Sequence, residues 1–437
     1  MSLNIILKYS TPRYRPVRKN LQSLAEEFNL DLKPIIVSAP GRADFLNTHQ
    51  DYKGLPVIPV AIKLRCYSAG VPLDSDIVKV KSINLREAGL EYHDEFSISK
   101  LELKPSDWFG NYFRAVFKVF INNGFKVKGC KIAVWSEVPI GAGLSSSAAL
   151  EVSTAKLISE MFNLDVDKKI IAELSYKAEH DVMGIPCGRL DQYASSFGGI
   201  IKIDTRPPFN VEELKMKDLV FVISDSGEHR KIVSVHPVRQ AEINQALKII
   251  LDEVKPSEKV VKYLSYDYYE TRWEFLVNIL EEYLASLPSK LADRIRFTLL
   301  THKSTLYAIS ILRGERPSYE KFVKAVGEDF AREYRTKIDD PLEVLGAIMN
   351  YQHILLRDLY EVSTPRIEEL RSILIDSGAV GAKISGAGMG GAVIALSKNV
   401  EDAEKIKKEC YERGFTFTWV SNPEVGARRE TLNLYTP

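Results

Sequence analysis

P-I-G-A-G-L-S-S-S-A-A-L, residues 139–150, is the stretch on which the reading of this chain turns. Gly141 and Gly143 follow an alternating run, Lys131 to Val138, that reads as a strand. Ser145, Ser146 and Ser147 lead into Ala148, Ala149 and Leu150, which open an amphipathic helix reaching Phe162. Glycines let a backbone turn tightly with its N–H groups turned outward. A helix start adds unsatisfied donors and a partial positive charge. Strand, glycine turn and helix start together make an anion site, and phosphate is the anion such sites most often bind. There is no G-K-[ST] and no lysine inside the turn, so this is not a Walker A loop. A plain turn with serine caps is the bland reading, and other stretches of the chain decide against it.

Working outward, S-G-A-G-M-G-G at 385–391 supplies Gly386, Gly388, Gly390 and Gly391 ahead of a strand, A-V-I-A-L, and allows very close backbone approach. Glu179 on a helix and Asp191 beyond a Pro-Cys-Gly connection are the acids a phosphoryl transfer needs. One would hold Mg²⁺ and one would take a proton from the attacking hydroxyl. The polar run G-R-A-D-F-L-N-T-H-Q-D-Y-K-G (41–54) follows a short strand, 35–40, which its proline ends. It offers Arg42, Asp44, Thr48, His49 and Asp51, a mix of donors and acceptors suited to a polyhydroxylated ligand.

Composition narrows the class. The chain of 437 residues favours two domains, and 45% apolar with 27% charged residues is ordinary for a globular protein. A net charge of +1 gives no nucleic-acid surface. Cys66, Cys130, Cys187 and Cys410 make no C-x-x-C pair, which fits neither a zinc site nor a disulfide framework and suits a reducing, cytoplasmic setting. The first residues lack a signal-peptide pattern, and no apolar run approaches the ~18 residues of a membrane span, so no membrane partner is expected. Helices are expected over Val17–Phe28, 108–120, Lys168–Val182, Pro237–Val254, Leu342–Tyr360 and Arg366–Ser377. Strands are expected over Val57–Val71 and 219–225, and hairpin strands over 77–103. Residues 255–345 read as a charged helical region without recognisable chemistry. A boundary is placed at 212/213, giving domains 1–212 and 213–437, with the site expected in the cleft between them.

At this point the motifs resemble a known family. P-I-G-A-G-L-S-S-S-A-A and K-I-S-G-A-G-M-G-G-A (383–392) resemble the second and third motifs of the GHMP kinases. The run at 41–54 resembles the sugar signature of their galactokinase branch. A-E-H-D-V-M-G-I-P-C-G-R-L-D-Q-Y (178–193) and W-F-G-N-Y (108–112) resemble that branch's active-site run and its aromatic helix near the adenine. The resemblance implies an α+β fold, with an N-terminal domain like ribosomal protein S5 and a ferredoxin-like C-terminal domain. It implies an ATP- and Mg²⁺-dependent transfer to the anomeric hydroxyl of galactose or a related sugar, with a sugar and ATP as partners. Gly141, Ala142, Gly143, Leu144, Ser145 and Ser146 would cradle phosphates, and Ser147 and Glu179 would bind Mg²⁺. Asp191 would act as base, and Arg42 would stabilise the alkoxide and the transferring phosphoryl group. Asp44, Thr48, His49, Asp51, Gly188 and His236 would line the sugar pocket. Trp108 would lie near the adenine, and Gly386 to Gly390 would pack on the phosphate loop.

Two departures fall in the sugar pocket. Thr48 stands where the branch usually has glutamate, and V-H-P-V-R-Q (235–240) puts His236 where tyrosine is usual; Ser385, where threonine is common, keeps a hydroxyl. A lost carboxylate acceptor is worth about 1.5–3 kcal/mol. Galactose is the default. An N-acetylhexosamine, a uronic acid, a pentose, or a sugar-binding sensor without turnover are the alternatives, and a non-sugar alcohol is disfavoured by the run at 41–54. The sequence leaves the oligomeric state open between a monomer and a homodimer.

Overall fold

Strand β1 (Ile35–Leu46) is buried along nearly its whole length, and it runs straight through Pro40. The expected end of the strand at this proline is corrected for a simple reason. On one side β1 pairs antiparallel with β12 (Arg428–Glu430) only over Ile36–Ser38, so the missing N–H of Pro40 falls beyond that ladder. The structure, a computed structural model, describes Leu24 and residues 34–105, 108–216, 218–228 and 235–431; the helix expected over Val17–Phe28 lies, Leu24 apart, outside the described residues.

The chain divides into two compact units. Residues up to Arg42, Ala61–Gly199 and those from Glu424 form the first, and Ala43–Val60 with Ile200–Pro423 form the second. The single cut expected at 212/213 is thus replaced by an interleaved division. β1 passes from one unit to the other in mid-strand, and the run after it is anchored on helices of the second unit. The end of the chain returns to the first unit as β12.

In the first unit, strands β2 (Ile58–Pro72), β3 (Ile77–Ser82), β4 (His93–Ser97) and β5 (Cys130–Ser136) join β1 in a six-stranded sheet of order β12-β1-β2-β5-β3-β4. β5 is antiparallel to β2 and parallel to β3, with Val78 opposite Cys130. Helices α1 (Asn111–Asn122), α2 (Ser146–Met161), α3 (Lys168–Lys177) and α4 (Leu190–Phe197) pack on one another. Buried Arg65 on β2 fastens the returning segment, donating to the carbonyls of Val425 at 2.8 Å and Gly426 at 2.7 Å and to Ser38 Oγ at 2.7 Å.

The second unit adds the short pair β6 (Ile201–Ile203) and β7 (Val211–Glu213). It also contains an antiparallel sheet of β8 (Val220–Asp225), β9 (Gly381–Ile384), β10 (Ala392–Ser397) and β11 (Thr418–Ser421), ordered β11-β8-β10-β9. Numbered within that sheet the order is 4-1-3-2, and helices follow its first and third strands, the ferredoxin-like βαββαβ pattern. Here α5 (Val235–Ile249), α6 (Ser289–Leu312), α7 (Tyr319–Val326), α8 (Pro341–Ile354), α9 (Pro365–Asp376) and α10 (Val400–Glu412) carry the expected helical stretches. Local signals set their starts. Asp340 and Thr364 cap α8 and α9 by accepting from the backbone N–H of Leu342 and Ile367, and each is followed by proline at the first helical position. Among the described residues no helix is long and apolar enough to cross a membrane.

The return of the chain depends on a close glycine contact. A Cβ on Gly426 would sit 2.1 Å from the Ser196 carbonyl oxygen. Gly426→Ala is therefore expected to destabilise the protein by about 1–3 kcal/mol through overpacking. Denaturant unfolding measures this, and a midpoint equal to wild type would show that the contact yields freely.

Candidate active site

Gly141, Gly143 and Ser145 all adopt left-handed backbone, with φ of 80°, 73° and 60°. Three such residues in five fold the chain back on itself between β5 and α2. α2 then starts at Ser146 with no side-chain cap on its first N–H groups, and the Ser145 hydroxyl is buried without a partner. An uncapped helix start behind a glycine turn is a cradle for an anion. β1 straps this turn in place. The Arg42 N–H donates to the Leu144 carbonyl at 3.2 Å, and Gly41 is required there because a Cβ would lie 2.7 Å from the same oxygen.

The Arg42 side chain closes the arrangement. Its Nη1 donates to the Gly143 carbonyl at 2.5 Å, while Nε and Nη2 hold Asp191 Oδ1 at 2.8 and 2.6 Å. Asp191 stands in the first turn of α4, its side chain 29% exposed beside a guanidinium that is 9% exposed. One buried fixed charge thus ties the phosphate-type turn to the acid. Gly188 lies in the connection leading into α4.

Behind them is a group of acids. Glu179, at the wide turn that ends α3, receives hydrogen bonds from Ser147, Cys187 and Gln192. Burial, then the Asp191 charge, nevertheless push it above the ordinary carboxylate range. Gln192 Nε2 is shared between Glu179 Oε2 at 2.6 Å and Glu151 Oε2 at 3.2 Å. Glu151, one turn beyond Ser147 on α2, is fully buried; burial, then Glu179, drive it well above its usual value. Among the described residues no group of three or more His, Cys, Asp or Glu is arranged to hold a metal ion by itself. Ser147 and Glu179 instead offer one hydroxyl and one carboxylate, the sparse oxygen set that suits Mg²⁺ bound largely through phosphate and water. Trp108, also in this unit, packs on Phe109 and carries the Lys104 ammonium 4.3 Å from its ring centroid.

In the second unit the signature run and the 385–391 glycines meet. The Asp44 N–H donates to Ser385 Oγ at 2.9 Å, and the Gly386 N–H donates to Asp44 Oδ2 at 3.2 Å. Residues 386 and 388–391 all have positive φ, and a Cβ on Gly388 would meet the Val362 carbonyl at 2.4 Å. Within this unit the glycine run packs on the signature loop. His49 is gripped on both sides: Nε2 contacts the Ala387 carbonyl at 3.1 Å and Nδ1 the Tyr52 hydroxyl at 3.4 Å. The ring implied to hold a sugar hydroxyl therefore has both nitrogens engaged by the protein, and it shapes the loop. His236 lies 5.0 Å from the His49 ring and 5.5 Å from Tyr52. Burial, then His236 and Lys53, hold His49 well below its usual pKa. Asp51 opens the short turn Asp51–Lys53.

Thr48 is only 2% exposed, and its hydroxyl accepts from Lys383 Nζ at 2.7 Å. The same ammonium donates to the carbonyls of Asp44 at 3.0 Å and Ile384 at 2.7 Å. Its three donors thus meet three uncharged oxygens inside the protein, and burial pulls its pKa from 10.5 to about 7. Lys383, Glu151 and Gln192 were not singled out from sequence. Each sits inside a regular element, where a charged or amide residue reads as the solvent face. The spacing of Ser147 and Glu151, four apart on one helix face, was the signal available.

Two regions of the chain match families described as "GHMP kinases N terminal domain", over 111–199, and "GHMP kinases C terminal", over 340–415. Fold and matches define the class, the GHMP kinases. Residues 22–72 match the "Galactokinase galactose-binding signature". A galactokinase of Thermosipho africanus is 32% identical over 386 residues, covering 86% of this chain and 94% of that protein. One of Clostridium beijerinckii is 29% identical over 413 residues, covering 90% and 95%. The crystal structure of Lactococcus lactis galactokinase complexed with galactose matches with a TM-score of 0.72 at 24% identity, over 95% of this chain and 100% of that one. A mevalonate kinase structure matches at 0.60 and 19%, over 89% and 98%; both support the fold. The chain belongs to the galactokinase family of the GHMP kinases and is an ATP-dependent sugar kinase.

Lys383 gives a pH signature. Below about pH 7 the ammonium is charged whether the chain is folded or not, and the penalty of burying it is constant. Between about pH 7 and 10.5 the unfolded chain binds a proton that the folded one does not, so stability rises with pH. Relative to Lys383→Met, the wild-type unfolding free energy is expected to climb by a few kcal/mol, about 5 at most, across that window. Urea unfolding at several pH values measures it; a difference that stays flat would refute the buried charge.

Proposed function

We propose that the enzyme transfers the γ-phosphoryl group of ATP to the anomeric hydroxyl of galactose or a close relative, giving the sugar 1-phosphate. The observation that carries this reading is the Arg42 guanidinium bound at once to Asp191 and to the glycine turn. Asp191 would accept the anomeric proton as the oxygen attacks phosphorus, and the partly exposed carboxylate is open to a hydroxyl. Arg42, already beside that acid, would offset the alkoxide and the charge spread over the transferring oxygens without reorganising. Backbone N–H groups from Gly141 to Ser146 would bind the phosphates, consistent with the left-handed turn and uncapped helix start. Ser147 and Glu179 would hold Mg²⁺, which neutralises triphosphate charge when bound. The raised pKa of Glu179 fits a group that a nearby cation would favour as carboxylate. Trp108 would lie near the adenine.

Asp44, Asp51 and the loop shaped by His49 and His236 would hold the sugar. Thr48 is occupied by Lys383 and brings no carboxylate, which keeps uronic acids, N-acetylhexosamines and pentoses beside galactose as candidates. ADP release measured over a panel of sugars, with mevalonate and homoserine as controls, tests the reading. Turnover of a sugar but not of the controls is expected; no turnover of any, with sugar-induced thermal stabilisation intact, would point to a sensor instead. Asp191→Asn is expected to cut kcat by about 10²–10⁴-fold with ATP affinity nearly unchanged. Calorimetric ATP titration beside steady-state kinetics separates the two, and a variant with the wild-type kcat would remove Asp191 as base.

A further inference from the structure

The region 255–345, silent in the sequence, contains α6, and α6 is buried along a polar stripe. Thr298 and Thr305 are seven residues apart, about two helical turns on one face, and both are fully buried together with Ser304. Buried threonines in helices commonly do no more than bond the preceding turn, and these two do so, Thr298 to the Arg294 carbonyl and Thr305 to that of Thr301. Here they also face the signature loop. Thr305 Oγ1 shares its one proton between the Thr301 carbonyl at 2.8 Å and Asn47 Oδ1 at 3.0 Å, and Thr298 Oγ1 accepts from Lys53 Nζ at 3.0 Å. Gln352 of α8 completes the support. Its Oε1 accepts the Asn47 N–H at 3.0 Å, while Nε2 donates to Thr305 Oγ1 at 2.9 Å and Ser304 Oγ at 3.1 Å.

Asn47 and Lys53 bracket Thr48, His49 and Asp51 of the signature. Asn47 adopts φ 63°, the left-handed region that asparagine enters more readily than most non-glycine residues, and its Nδ2 also donates to the Pro56 carbonyl. Lys53 is fully buried with its ammonium 4.7 Å from the ring centroids of both Phe297 and Tyr360 and 5.5 Å from Tyr52. Tyr52 in turn bonds Tyr360 and touches His49. Both ends of the segment 47–53 are therefore fastened to the same helix.

We propose that α6 and Gln352 set sugar selectivity from behind the signature loop. Thr305, Gln352 and Thr298 are positioning residues that fix Asn47 and Lys53 and so the placement of Thr48, His49 and Asp51. This rests on the reading that the loop binds the sugar. A loop held by buried hydrogen bonds at both ends cannot shift to follow a different epimer without breaking them, and each bond broken in the interior leaves an unsatisfied polar group.

The test first uses the wild-type enzyme and a sugar panel to find the sugar turned over. Thr305→Val, Gln352→Met and Thr305→Ser are then compared by KM for that sugar, KM for ATP, ranking across epimers, and thermal midpoint. Thr305→Val and Gln352→Met are expected to raise the sugar KM about tenfold and narrow the discrimination between epimers, with the ATP KM within about twofold of wild type; Thr305→Ser restores both. In an Asn47→Gly background Thr305→Val should have little further effect, because its loop partner is gone. Thr305→Val is nearly isosteric and decides the matter if Gln352→Met fails to fold. A folded Thr305→Val with unchanged sugar KM and ranking overturns the inference, as does a loss shared equally by both substrates. If the wild-type enzyme turns over no sugar, the proposed function fails and this inference falls with it.

Discussion

The Arg42 guanidinium is the constraint on which the catalytic half of the molecule depends. It is nearly buried, carries a charge that no neighbouring proton transfer can remove, and spends its donors on Asp191 and on the Gly143 carbonyl. A buried cation needs a carboxylate and oriented oxygens, or its desolvation is uncompensated. The glycine turn and the start of α4 are therefore fixed with respect to β1 by the same requirement. Gly41 follows from this, since β1 must come close enough to Leu144 for a backbone bond and leaves no room for a Cβ.

Lys383 has a comparable role in the second unit, with the opposite chemistry. Its ammonium meets three uncharged oxygens, from Asp44, Thr48 and Ile384, and burial brings it close to neutrality. It gathers the signature loop and β9 around one nitrogen. Thr48 at the expected carboxylate position is thereby explained structurally: its hydroxyl accepts a bond from a lysine that has no need of a full negative charge. His49, locked between Tyr52 and the Ala387 carbonyl, belongs to the same framework.

What could be read in advance was what is local. The glycine turn, the serine start of α2, the glycine run and the proline-led starts of α8 and α9 each lie within a few consecutive residues, where backbone rules act. Arg42 and Asp191 were paired only through resemblance, since 149 residues separate them. Periodicity hides buried polar groups. Glu151, Gln192, Thr298 and Thr305 sit in helices where a polar residue counts as surface, yet all are buried and bonded across long separations. Pro40 misled for a related reason, because its tolerance in β1 depends on how short β12 is. The interleaved division was invisible for the same cause, since it is set by pairings between distant segments.

That interleaving also governs synthesis. The edge of β1 that receives Arg428–Glu430 stays unpaired while the chain emerges, although everything from Ile35 to Gly199 has long been made. During translation at about 5–20 residues per second, the first unit waits for more than two hundred residues of the second before its sheet can close. Through that interval the nascent chain exposes an unfinished sheet edge, the surface on which strands from other chains pair. The late closing of this sheet edge is thus a property of the path of the backbone, independent of how stable the finished enzyme is.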